Sequence, residues 1–236
     1  MTQQLPTLTP IKRIDREEGP PIWHWKEADV GIYGPRLAAT LPKKTPGALT
    51  MWFEEYEFRR TKRFFCVYFK THTDAGLMME EARELMKVYE VPDLYIRLTP
   101  VERDFVSSWN DMRKYYMRVN TRMPPRTDDT GSITYHLNLL QELTRPGRER
   151  VFYGEDSEVP QAMAAVRELF GEATDTDFPA VASVVYGAAA CYHHETIEEK
   201  TKKKPYEFLG KDDPYLNWDP FAEDDKVMNY DPFKGM

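Results

Sequence analysis

The 236-residue sequence is poor in cysteine and has no long apolar run. Its two cysteines, Cys66 and Cys191, lie far apart and belong to no CxxC pair, which argues against a disulfide framework and a structural zinc site. The longest apolar stretch, residues 178–192, would form a helix of about 22 Å, short for a bilayer core of about 30 Å. We therefore expect a reducing compartment and, at most, membrane proximity through residues 178–192 without spanning.

Motifs that bind nucleotides or activate a nucleophile are missing as well. The sequence contains no GxGxxG, no GxxxxGKS or GxxxxGKT, and no GxSxG. His193 and His194 follow Cys191, but the second histidine of an HExxH zinc motif is absent. We predict no catalytic residue, no metal and no cofactor, and an enzyme of unrecognised class stays an alternative.

The net charge is −7, from 32 basic and 39 acidic residues. Two basic clusters lie near aromatic residues, an arrangement that can bind nucleic acid by stacking and phosphate contact. Because the chain is acidic and has no RNA-binding signature, we expect these clusters to dock the acidic tail or another acidic subunit, and we do not expect nucleic acid as a partner. The clusters are Arg59, Arg60, Lys62 and Arg63, and Arg113, Lys114, Arg118, Arg122 and Arg126.

Seven of the 18 prolines fall within residues 1–48. This segment has no sustained apolar period and is predicted to be an extended arm, with Trp23 and Trp25 as candidate partner-binding anchors. It has no apolar core of a secretory signal, and its acidic residues are unlike a transit peptide, although a presequence removed before residue 1 stays open.

Residues 205–236 form a second predicted arm, with eight acidic residues against three lysines. It repeats Asn-Trp-Asp-Pro-Phe at 217–221 as Asn-Tyr-Asp-Pro-Phe at 229–233. These units resemble the Asp-Pro-Phe motifs by which endocytic accessory proteins engage clathrin-adaptor appendages, and the resemblance implies an adaptor that docks partners through its tail. The alternative is a tail packed on the body. The candidate partner-binding residues are Trp218, Phe221, Tyr230 and Phe233.

The body, residues 49–204, is predicted to be α+β and mainly helical, with a βαβ unit permitted by the order strand, helix, strand. Residues 64–69 and 94–98 have the composition of strands, and residues 78–89 have the period of an amphipathic helix. Leu49, Trp52, Phe53 and Tyr56 share a helical face.

Later in the body, two segments carry clear helix signals. Thr99-Pro100-Val101-Glu102 has the pattern of a capping box and predicts a helix extending to about Val119. Within residues 178–192, Ser183, Gly187 and Cys191 recur every four residues and predict a face for close helix packing.

Long arms with bulky anchors are costly for a free monomer but bury surface usefully in an assembly. The sequence therefore favours a non-catalytic structural subunit of a large assembly. In style it resembles the accessory subunits of mitochondrial respiratory-chain or ATP synthase complexes, which implies an intracellular, mitochondrial location, with the cytoplasm as alternative. Alternatives are the Asp-Pro-Phe adaptor, a mitochondrial ribosomal subunit and the unrecognised enzyme.

Overall fold

The computed structural model describes nine stretches of the chain: residues 9–14, 22–25, 28–29, 33–55, 63–114, 118–145, 150–155, 157–166 and 171–202. The strands are β1 (Thr9–Ile14), β2 (Ile22–Trp25), β3 (Ala28–Asp29), β4 (Tyr33–Thr40), β5 (Gly47–Glu55), β6 (Arg63–His72), β7 (Leu94–Ile96), β8 (Thr121–Arg122) and β9 (Val151–Gly154). The helices are α1 (Ala75–Val88), α2 (Pro100–Asp111), α3 (Thr134–Leu143), α4 (Val159–Ala164) and α5 (Pro179–Lys202).

These strands form one mixed sheet in the order β3-β2-β1-β9-β6-β5-β4-β7-β8. In the six strands from β9 to the edge strand β8, β5 runs antiparallel to both neighbours, β4 and β6, and the other pairs are parallel. The helix α1 connects β6 to β7, which pairs with β4 across the sheet. The expected strand, helix, strand unit is therefore present as a crossover that skips two strands.

The segment around Leu49, which was predicted to be helical, forms strand β5 instead. Its residues are buried along almost the whole strand. Leu49, Met51 and Phe53 pack on one face of the sheet, and Trp52 packs on the other. A strand covered on both faces has no polar side, so its sequence lacks the alternation that identifies a half-exposed strand. The apolar spacing was consequently mistaken for a helical one.

Helices cover both faces of the sheet in separate apolar cores. The core on one side contains Met78, Met79 and Ala82 of α1 with Val106 and Trp109 of α2. The core on the other side joins α3, α4 and α5 to the sheet. The prediction of a mainly helical α+β body is therefore wrong: the chain has an α/β arrangement of three layers around a mixed sheet. Local periodicity detects helices but not strand pairing, which is set by distant partners.

The helix start predicted at Thr99 agrees with the structure. Thr99 accepts a hydrogen bond from the backbone N–H of Glu102, and the Glu102 carboxylate accepts one from the backbone N–H of Thr99, so the predicted capping box is confirmed. The helix it starts ends at Asp111, earlier than expected. Its first apolar position, Val101, is exposed rather than buried.

The chain divides into two compact units, residues 1–195 and 196–236. Of the second unit, the structure describes residues 196–202, which are helical. Strands β1 to β4 come from the segment predicted as an arm, and β4 pairs with β5 and β7. Within the described residues, no helix has both the length and the hydropathy needed to cross a bilayer.

Candidate functional site

A pocket of about 510 Å3 opens where β7 and β8 end and α2 begins. The strands β7 and β8 are parallel, so their carboxyl ends lie at the same edge of the sheet. Ligands of open α/β sheets commonly bind beyond this edge. Ten residues line the pocket: Ile96, Arg97, Leu98, Thr99, Pro100, Arg103, Thr121, Arg122, Met123 and Asp129.

The amino end of α2 forms one wall of this pocket. Pro100 occupies the first turn, where a missing backbone donor costs nothing, and Thr99 caps the helix. Glu102 closes the capping box and also lies 3.2 Å from the Lys43 ammonium. The wall is thus held in place by local hydrogen bonds that the sequence of this turn specifies.

Arg97 anchors the opposite side of the pocket through a buried ion pair. Its Nη1 donates to both carboxylate oxygens of Asp175, at 3.1 and 2.9 Å. Its Nε and Nη2 donate to the backbone carbonyls of Asp128 and Asp129, at 3.0 and 2.6 Å. Because Asp175 is buried and neutralises this charge, Arg97 holds the loop at residues 128–129 and contributes little free charge.

Tyr186 and Gly131 lie against this ion pair. Tyr186 of α5 donates its hydroxyl to Asp175 Oδ2 at 3.1 Å, and burial raises the pKa of this phenol, helped by the Asp175 charge. Gly131 has φ of +76°, and a β-carbon there would lie 2.7 Å from both Arg97 Nη1 and Asp175 Oδ1. The backbone at this position therefore requires glycine.

Two other arginines of the pocket have accessible head groups. Arg103 is exposed, and its side chain has no hydrogen-bond or ion-pair partner in the described part of the chain. The Arg122 side chain is 59% exposed; its guanidinium lies 3.9 Å from Asp93 and 5.8 Å from the centre of the Tyr95 ring. Guanidinium groups bind phosphate oxygens in a planar, bidentate manner, so these two side chains form a ready anion-binding pair.

The basic clusters predicted from sequence contribute unequally to this region. Residues 97–126 hold seven basic and three acidic residues, although the whole chain is acidic. Arg122 lines the pocket, whereas Arg113 lies over the Trp109 ring and pairs with Glu80. In the first cluster, Arg63 pairs with Glu55 at 2.5 Å, and residues 59–62 lie outside the described residues.

None of the predicted site residues is among the described residues that line the pocket. Trp23 and Trp25 belong to β2, but the structure does not describe their side chains. Trp218, Phe221, Tyr230 and Phe233 also lie outside the described residues, so their partner-binding role stays a prediction. Ser183, Gly187 and Cys191 are buried on α5, where the Ser183 hydroxyl donates to the Ala38 carbonyl at 3.0 Å and Gly187 touches Trp52.

The histidines and acidic residues of the described part do not converge on a common point. No three His, Cys, Asp or Glu side chains come together there as a group able to hold a metal ion. His193, one of the two adjacent histidines, lies with Nε2 3.2 Å from the Tyr135 hydroxyl.

Sequence reasoning missed Arg97, Arg103 and Asp175. A usable signal was present: a short strand at residues 94–98 runs directly into the Thr99 capping box, which places a strand end and a helix start together. The Arg97–Asp175 pair had no signal, because 78 positions separate its members.

The chain matches no protein-family model and no curated protein. Among solved structures, it is similar to the nuclease domain of the P22 large terminase, with a TM-score of 0.44 and 11% identity over 67% of this chain and 81% of that chain. It is also similar to the nuclease domain of the bacteriophage SPP1 large terminase, g2p, with bound Mn: TM-score 0.43, 12% identity, 66% of this chain and 85% of that chain. A likeness this distant assigns neither a residue nor an activity to this chain.

The sequence-based interpretation of a non-catalytic accessory subunit of a mitochondrial complex is contradicted by these neighbours, which are nuclease domains of phage terminases. The expectation that nucleic acid is not a partner is wrong as well. That expectation relied on the net charge of −7, of which −5 belongs to residues 205–236, whereas residues 97–126 carry four more basic than acidic residues.

Proposed function

We propose that this protein binds nucleic acid by its phosphate groups at the pocket between β7, β8 and α2. The observation that supports the proposal is the pair of accessible arginines, Arg103 and Arg122, at the carboxyl edge of two parallel strands. Phosphate contacts by arginine supply most of the sequence-independent affinity of nucleic-acid-binding proteins.

Local charge favours a polymer of phosphates over a single anion. The pocket belongs to a stretch, residues 97–126, with four more basic than acidic residues. Arg118 and Arg126 of this stretch are exposed, and Arg118 lies 3.7 Å from Asp111, so positive charge is available outside the pocket lining as well. Exposed charges farther apart than about 8–10 Å are largely screened at physiological salt, so the charge close to the pocket matters more than the total of the chain.

The test measures binding of a fluorescent single strand of about 12 nucleotides by polarisation across a range of salt concentrations. We expect affinity to fall as salt rises, and Arg103→Ala to weaken binding and reduce the slope of log K against log salt by about 0.7. The control is Arg145→Ala, which removes an exposed arginine that pairs with Glu142 and lies outside the pocket lining. Absence of binding at low salt, or equal effects of the two variants, would overturn the proposal.

The same samples test the alternative of an enzyme of unrecognised class. The labelled strand is incubated with the protein and Mg2+ or Mn2+, and its length is measured on a denaturing gel. Shortened products that require the protein would add a cleavage reaction to the proposed binding, and an intact strand would limit the function to binding.

A further inference from the structure

We infer that the pocket accepts one unstacked base of a single strand, with the base on the guanidinium plane of Arg122 and a neighbouring phosphate at Arg103. This inference rests on the proposed function and adds the substrate class: single-stranded rather than duplex nucleic acid. It follows from the size of the pocket, the setting of Arg122 and the character of the remaining lining.

The size of the pocket fits one nucleotide. Its volume of about 510 Å3 is within the range of cavities that enclose a single small ligand. A base in a duplex is paired and stacked, and it enters such a cavity only after leaving the helix, which costs a few kcal/mol. A single strand presents its bases with much less of this cost, so a pocket of this size selects for it.

Arg122 is placed to stack. One side of its guanidinium is directed to the ring of Tyr95, a buried residue, at 5.8 Å from the ring centre. Asp93 lies 3.9 Å from Nη1 and limits the movement of the head group. The Arg122 side chain is 59% exposed and lines the pocket, so its guanidinium is accessible to a ligand there. Unpaired bases stack on arginine planes as they do on aromatic rings.

The rest of the lining suits a base better than a second phosphate. Ile96, Leu98 and Met123 add apolar surface, and Met123 is 50% exposed. A phosphate gains nothing from such contacts, whereas the flat face of a base does. Asp129 adds a carboxylate, which repels phosphate and accepts hydrogen bonds from the N–H groups of bases, including N3–H of thymine.

The experiment compares three ligands of equal length, about 12 nucleotides: a thymidine strand, an abasic strand with the same phosphates, and a duplex. We expect the thymidine strand to bind roughly five- to a hundredfold more tightly than the abasic strand, because one stacked base contributes a gain in affinity of about this size. We also expect it to bind more tightly than the duplex at the same salt concentration.

Two charge-conserving variants separate the roles of the arginines. Arg122→Lys keeps the charge but loses the plane, so the preference for thymidine over abasic strand should fall to near one while abasic binding is retained. Arg103→Lys keeps a phosphate contact and should leave the preference unchanged. Retained abasic binding also shows that each variant is folded.

The outcomes distinguish the two proposals. Equal binding of thymidine and abasic strands, duplex binding as tight as single-strand binding, or an unchanged preference in Arg122→Lys would overturn the base-pocket inference and leave phosphate binding intact. If none of the three ligands binds at low salt, the proposed function fails together with the inference.

Discussion

Gly187 of α5 lies directly against the indole of Trp52, so that a β-carbon on the glycine would come within 2.0 Å of Trp52 Nε1. This contact sets the distance between α5 and the sheet. The same contact covers a buried hydrogen-bonded cluster of three side chains. Trp52 Nε1 donates to the Thr50 hydroxyl at 3.1 Å, and the Thr50 and Ser183 hydroxyls lie 3.1 Å apart. Any side chain larger than hydrogen at position 187 must displace the Trp52 indole and disturb this cluster.

Gly187→Ala should therefore destabilise the protein, although alanine favours a helix by up to about 1 kcal/mol. Overpacking of a filled core costs about 1–3 kcal/mol, and here the obstacle is a rigid ring rather than a flexible chain end. The measurement is urea unfolding. Gly171→Ala is the matched control, because a β-carbon at Gly171 meets nothing within 4 Å. If both variants were equally stable, α5 would not pack on Trp52 in this way.

Some of this architecture could be predicted from sequence. Helix α1 and the start of α2 are specified by neighbouring residues: an apolar repeat in the first, and Thr99, Pro100 and Glu102 in the second. The strand predicted at residues 64–69 is confirmed as part of β6. Each of these signals lies within one element, so no distant partner was needed to identify it.

The arrangement of the sheet and the pocket could not be predicted in this way. Strand β5 is apolar on both sides because helices cover both faces, and its sequence shows neither a strand period nor its partners. At the pocket, the contact of Arg97 with Asp175 joins the residue after β7 to the segment before α5, 78 positions away in the sequence. Pairings over such distances leave no local pattern.

Thr99→Ala should weaken the start of α2. The substitution removes the acceptor for the Glu102 backbone N–H and opens the capping box. We expect a loss of about 1 kcal/mol in the free energy of unfolding. Thr99→Ser keeps the hydroxyl and should be close to the natural protein in the same urea titration. Equal losses for both variants would show that the hydroxyl does not cap the helix.

Asp175→Ala should be the most damaging of the proposed substitutions. It leaves the Arg97 guanidinium, only 11% exposed, without its carboxylate and removes the acceptor of the Tyr186 hydroxyl. Breaking a buried pair in this way costs about 3–5 kcal/mol. Asp177→Ala removes an exposed acidic residue two positions away and should cost much less. Thermal unfolding of both variants measures the difference, and similar melting temperatures would contradict a buried ion pair.

Stability should decrease as the pH falls from about 7.5 to about 5.5, with His136 as a main cause. Burial lowers the pKa of this imidazole below its usual value, and the nearby His193 lowers it further. Nε2 lies 2.8 Å from the Pro125 carbonyl, to which it donates, and Nδ1 is buried without a hydrogen-bond partner in the described part of the chain. A proton added at Nδ1 would therefore place an uncompensated charge in the core.

The sign of this effect follows from proton linkage. The unfolded chain takes up a proton near the ordinary histidine pKa of about 6.5, whereas the folded chain resists until a lower pH, so acid favours unfolding. Glutamates with lowered pKa values, such as Glu80 and Glu81, change charge below this window and do not interfere.

His136→Gln keeps a donor for the Pro125 carbonyl but cannot titrate, so it should lose less stability across the window. His193→Gln, at a half-buried position, is the control and should keep most of the pH dependence. If His136→Gln keeps the full dependence in urea titrations at both pH values, the buried imidazole is not its source.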